Sequence, residues 1–241
     1  MNLLSIEILK EKRTGVLPVL PAVGVLGAAY AFANFLVRKK ALLSLPVSPM
    51  DVLLTQLYGM IMVLNLFGIV AAACMVYNME FQGNAVKKME MLPVRMPGMY
   101  LCKFGILTAM LLTAVALQNL ALAQIGRTNL PPDAFEGAVL IRFAAYSFLT
   151  SMPVLSFMLL VSSRYETMWV PLGIGVGGFL SGMALANAES ALLMVNPFVV
   201  MMKPAVAMRA QPDPAVLTVS LVETGVFLAG GLWMAKHLRY E

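Results

Sequence analysis

Hydrophobic and polar positions along this chain do not alternate; they separate into long apolar runs and short charged clusters. Thr14–Val37, Val52–Met79, Phe104–Gly126, Phe143–Ser163 and Thr167–Ala188 contain no Lys, Arg, Asp or Glu. A sixth run, Pro214–Ala235, carries a single acid, Glu223. Each run reaches at least about 20 residues, the length a helix needs to cross a hydrocarbon core about 30 Å thick. In lipid the backbone satisfies its own hydrogen bonds only as a helix or a closed barrel, and barrel strands read as short alternating segments. The pattern therefore predicts an all-α polytopic membrane protein with six transmembrane helices in a single domain, 1–241. The spans fall at about 15–37, 52–78, 104–126, 143–162, 167–187 and 214–235.

The intervening segments predict the rest of the layout. Residues 1–14 read as an interfacial helix: Leu3, Leu4, Ile6, Ile8 and Leu9 form an apolar side, and Glu7, Lys10, Glu11, Lys12 and Arg13 a wet one. A frayed terminal extension is the alternative. Pro46 and Pro49 break the link after the first span, and Arg127–Asp133 is turn-rich. Ser162–Glu166 is a tight connection. Ser190–Met202 is apolar but interrupted by Pro197 and too short to span, which predicts a re-entrant or interfacial segment between the last two spans. Six crossings put both termini on one side. If that side is the cytoplasm, ten basic residues lie inside and seven outside, a weak bias of the correct sign.

Composition adds that the surface meets lipid. The chain is 60% hydrophobic and 12% charged, with a mean hydropathy of +0.84, whereas soluble domains carry about 25% charged residues. The net charge of +5 comes from clusters at span ends, which meet lipid head groups and not nucleic acid. Cys74 and Cys102 stand apart from any pairing motif, so neither a disulfide framework nor a zinc site is indicated. The first residues lack a basic n-region, and no cleaved signal is expected. There is no phosphate-cradling G-x-x-x-x-G-K-[ST], no G-x-S-x-G elbow, and a lone histidine, His237. No carboxylate pairs lie at helical spacing within a span. The chain is not expected to be an enzyme, nor to hold a cofactor or a metal.

The polar stretch between the second and third spans is the most informative. In Glu80-Phe81-Gln82-Gly83-Asn84-Ala85-Val86-Lys87-Lys88-Met89-Glu90-Met91-Leu92-Pro93-Val94-Arg95, the residues Val86, Met89 and Leu92 line one side of a short helix that Pro93 ends. Such a tethered amphipathic helix suits docking into a partner's groove; an ordinary polar loop with a chance stripe fits the periodicity equally well. The order Glu80…Gln82-Gly83-Asn84…Leu92-Pro93-Val94…Tyr100…Lys103 resembles the ATP-binding-cassette type-2 permease family. It is most similar to the permease subunits of lantibiotic (bacteriocin) immunity exporters, as is the opening Glu7–Thr14 followed by Pro18 and Pro21. Asn84 stands where many members of the broader family carry Thr.

That resemblance implies a coupling helix around Glu80–Leu92 that engages a cytosolic ATPase subunit, with Glu80, Gly83, Val86, Met89, Leu92 and Pro93 as its contact and shaping residues. It implies a connecting helix at 1–14 and a re-entrant region at Ser190–Met202. It further implies a second permease subunit (identical or related), membrane lipid, and an amphipathic peptide substrate such as a lantibiotic, expelled in self-protection. The location implied is a bacterial cell membrane, multi-pass, with both termini cytoplasmic. Permeases for lipid or another drug-like substrate, and a non-transporting scaffold or assembly factor, are the alternatives. A membrane enzyme lacks the clustered side chains it needs.

Within the spans, Gly173/Gly177 and Gly178/Gly182 are small-x-x-x-small pairs that let helices approach closely; a substrate groove on that face is the other reading. Glu223 sits near mid-depth, where an acid marks a pathway or forms a hydrogen bond within the bundle to Asn34, Asn65, Gln118 or Asn119. Asn65 is the second candidate of this kind. The 20 methionines either form an adaptable lining or substitute for Leu.

Overall fold

A computed structural model describes residues 3–43, 48–81, 96–131, 134–186, 191–207 and 210–237. Among these the regular structure is helical. In chain order the elements are α1 (Leu3–Thr14), α2 (Val19–Leu43), α3 (Pro49–Gln56), α4 (Tyr58–Phe81), α5 (Met96–Asn129), α6 (Gly137–Ser162), α7 (Trp169–Leu185), a 3₁₀ turn (Ala191–Val195), α8 (Pro197–Val206) and α9 (Pro214–His237). Five stretches are long and apolar enough to cross a membrane: Val19–Lys40, Pro49–Phe81, Met96–Asn129, Gly137–Ser162 and Pro214–His237.

The run expected to span at 167–187 folds as α7, 17 residues long, or about 25 Å. That is at the short limit for a crossing. Ser190–Met202 divides at Pro197, as its proline suggests: Asn196 caps α8 by accepting from the Phe198 N–H at 3.0 Å, and Pro197 takes the first helical position. Two span boundaries shift. The second starts at Pro49, capped by Ser48, and is interrupted at Leu57. The third starts at Met96, eight residues before the expected Phe104, and its 34 residues exceed any hydrocarbon thickness.

Packing follows from small residues and satisfied hydroxyls. α2 lies against α5 so closely that a Cβ on Gly24 would stand 2.7 Å from the Cα of Ala114, an approach only glycine permits. Gly15, at φ +73°, turns the chain from α1 into α2. α4 and α6 hold the centre, whereas α2 and α9 flank the bundle with most of their surface outward. Ser147, Thr150, Ser151 and Ser156 donate to carbonyls one turn back on α6, so this central helix carries hydroxyls without orphaned donors.

Candidate functional site

Helices alternate in direction, so one end of the bundle gathers α1, the end of α4, the start of α5, the α6–α7 link and the end of α9. The expected coupling segment links α4 to α5, whose joined ends both lie here. A buried charge cluster lies there. Lys103, one to two turns inside α5, is 2% exposed. Its ammonium donates to Glu7 Oε2 of α1 at 2.8 Å and to Glu80 Oε1 of α4 at 2.7 Å. Lys10 closes the arrangement, pairing with Glu80 and lying 3.6 Å from Glu7 Oε1. The Tyr77 ring centroid is 5.6 Å from the Lys103 ammonium, one turn before Glu80. Each buried ion costs several kcal/mol of desolvation, which only close, multiple pairing offsets. Two acids sharing one buried lysine meet that condition, and they staple three helices together.

Glu11, one turn beyond Glu7, is the surplus acid. It is buried, and neither of its oxygens has a hydrogen-bond partner among the described residues. Burial pushes its carboxyl up to about 7; the Lys103 and Lys10 charges oppose this, while Glu7 and Glu80 add to it. Beside the cluster is a cavity of about 30 Å³ bordered by Glu80, Lys103, Tyr100, Arg164 and Ala235, room for about one or two waters. It brings the α6–α7 link and the end of α9 alongside Glu80.

This geometry corrects the reading of α1. Its acids Glu7 and Glu11 do not form a wet side: both turn into the bundle, while Leu4, Ile6, Ile8 and Leu9 are exposed. The counter-ion of these acids sits inside the bundle and the apolar side chains point outward, so the amphipathic faces are reversed relative to a soluble protein. Glu7, Lys10, Glu11 and Lys103 were absent from the expected site because their partners are distant in sequence. The one available signal was Glu7 and Glu11 at i and i+4 without basic residues at matching positions to neutralise them both.

Of the residues expected to contact the ATPase, Glu80 is buried, its carboxylate turned toward Lys103 and Lys10. Gly83, Val86, Met89, Leu92 and Pro93 lie outside the described residues. Asn65 and Gln118 form a reciprocal amide pair between α4 and α5, at 2.9 and 2.7 Å. Glu223 is not bonded to Asn34, Asn65, Gln118 or Asn119: Asn34 meets Tyr30, Asn119 donates to the Val115 carbonyl, and the Glu223 oxygens have no hydrogen-bond partner among the described residues. On α7, Gly178 and Gly182 face Phe198 and Met202 of α8, whereas a Cβ on Gly173 or Gly177 would meet nothing within 4 Å. Among the described residues no three His, Cys, Asp or Glu side chains converge as metal ligands, and both cysteines are free.

A helical bundle with several membrane-crossing segments and an ion-stapled end, with no catalytic constellation among the described residues, defines a multi-pass membrane protein. The family model for ABC-2 family transporter proteins matches residues 3–182, three-quarters of the chain, and the chain belongs to that family. Members are membrane subunits, not themselves ATPases, and the family as a whole works with an ABC ATPase. No curated protein and no solved structure shows a significant match to the chain.

Proposed function

We propose that this chain is the permease subunit of an ABC exporter in a bacterial cell membrane, expelling an amphipathic antimicrobial peptide of the lantibiotic type. In this reading it crosses the membrane six times, with α7 as the short fifth crossing, and both termini are cytoplasmic. The α1 end then faces the cytoplasm, a second identical or related permease completes the pathway, and a separate ATPase docks on Glu80–Leu92.

The observation that carries the proposal is the staple of Glu7, Glu80 and Lys103, formed by the helices that this segment joins. Glu80 opens it and Lys103 follows it, so a force on residues 82–95 reaches α4 and α5 together. Through Glu7 it also reaches α1. Buried ion pairs resist separation, because breaking one leaves an uncompensated charge, so the three helices move as one body. Closure of the nucleotide-bound ATPases would tilt this body against the remaining helices and open the route outward. Glu80 serves as an internal anchor, and Val86, Met89 and Leu92 supply the apolar face that enters the ATPase.

Replacing Val86, Met89 and Leu92 together by Asp is expected to abolish co-purification of the ATPase while membrane insertion persists. Undiminished recruitment would sink the docking assignment. Deleting the ATPase is expected to abolish peptide resistance; unchanged resistance would point instead to a scaffold.

A further inference from the structure

A proline interrupts the central helix. α6 carries Pro153 well inside it, and a proline there has no N–H to bond the carbonyl four residues back. That carbonyl belongs to Leu149. In a membrane such a freed carbonyl is tolerated where a neighbouring helix or a hydroxyl satisfies it. Here Ser220 of α9, itself fully buried, donates its hydroxyl to the Leu149 oxygen at 2.6 Å. The missing donor is thus replaced from a helix 71 positions away.

The surroundings of the break suit bending. Thr150 donates to the Tyr146 and Ser147 carbonyls, Ser151 to Ser147, and Ser156 to Met152 and Pro153. Hydroxyls bonded back along their own helix keep carbonyls satisfied while that helix bends, and prolines are where helices kink. α9 lies parallel to α6 and braces it on both sides of the break. Val216 packs with Tyr146 before it, and the Phe227 ring is 5.2 Å from that of Phe157 after it; Ser220 lies between them in sequence. We infer that Pro153 is a hinge in α6 and that the Ser220 hydroxyl is its latch. While the bond to Leu149 is made, α6 and α9 move together; once it breaks, residues 153–162 swing about Pro153. That half of α6 leads to Ser163 and Arg164, which border the cavity beside Glu80 and Lys103. The hinge therefore stands between the charge staple and the far end of the bundle. It is independent of the exporter reading, and its test needs no ATPase.

The test uses the full chain in lipid nanodiscs. Ser220→Ala is expected to lower the melting temperature by about 2–4 °C, the scale of one hydrogen bond in a chain of this size. Pro153→Ala returns an N–H to position 153, so in that background the same change is expected to shift it by less than about 1 °C. If Ser220→Ala alone does not fold, adding Pro153→Ala is expected to restore folding. Hydrogen exchange read by mass spectrometry follows the hinge itself. Peptides covering 153–162 are expected to exchange about five- to tenfold faster in Ser220→Ala, the opening cost of one bond, with those of α2 and α5 unchanged. Exchange decides alone if Pro153→Ala does not fold. The latch is overturned if Ser220→Ala costs the same in both backgrounds, or if the double variant fails to fold where Pro153→Ala folds. It is equally overturned by unchanged exchange over 153–162, or by a rise of the same size in α2 and α5, which would mark a general loosening.

Discussion

Two regions of this bundle bury carboxylates, and only the α1 end supplies a shared counter-ion, which leaves Glu11 there as its one surplus acid among the described residues. At the α1 end, Glu7 and Glu80 are drawn onto Lys103 with Lys10 alongside. In mid-span, Glu223 is buried with no hydrogen-bond partner among the described residues. A paired acid uses its charge to hold helices together, whereas burial without a partner favours the neutral form. The difference separates a charge cluster that ties three helices together from a lone buried acid on a single helix.

The comparison breaks most severely at Lys103. Lys103→Met leaves two buried acids without their shared cation and is expected to destabilise the protein by about 3–5 kcal/mol. Thermal unfolding followed by a thiol-reactive dye reads this through exposure of buried Cys74. A loss below about 1 kcal/mol would show that the cluster is solvated and does not staple the helices.

Glu11 comes next. Its carboxyl is at about 7 in the fold against 4.5 ordinarily, so the folded state holds the proton more tightly. Its contribution is fully present below about pH 4.5 and is lost as pH rises through about 7. The melting temperature should fall across that window by the equivalent of roughly 1–3 kcal/mol. Glu11→Gln should remove that component of the slope, and an unchanged slope in this variant would refute the assignment.

Coupling within the staple is smaller. Glu7→Gln and Glu80→Gln, which share one ammonium, are expected to be non-additive by about 1 kcal/mol in a double-mutant cycle. Additive effects would mean that the two acids are held independently. The smallest effect is expected at Glu223: Glu223→Gln relinquishes no partner and should leave stability unchanged or raise it by about 1 kcal/mol. A clear loss of stability would place Glu223 with the paired acids and erase the contrast.

Much of the architecture was legible in the chain because lipid imposes long uninterrupted apolar runs, and these survive as α2, α3–α4, α5, α6 and α9. Pro197 was likewise legible as a break in the 190–202 run, although the start of α8 there and its Asn196 cap were not. The boundaries at Pro49 and Met96 were not legible, because helices extend beyond the hydrocarbon into segments whose composition resembles a loop. Lys103 read as the polar edge of a span for this reason, although seven helical residues precede it. α1 was legible as amphipathic but not in its orientation. The stripe of Leu4, Ile8 and their neighbours is the same whether it faces a core or lipid, and only the location of the counter-charge distinguishes them.

The sequence alone determined that this is a multi-pass helical membrane protein of the ABC-2 transporter family with no catalytic motif of its own, because span length, charge spacing and the signature around Glu80 are all local. Tertiary structure alone decided which acids are matched. Glu7 and Lys103 lie 96 positions apart and Glu80 and Lys103 lie 23 apart, and Asn65 bonds Gln118 at a separation of 53, not Glu223. The energy of a buried charge depends on what stands within about 4 Å of it. Distances of that kind are set by how helices pack, and no run of residues contains them.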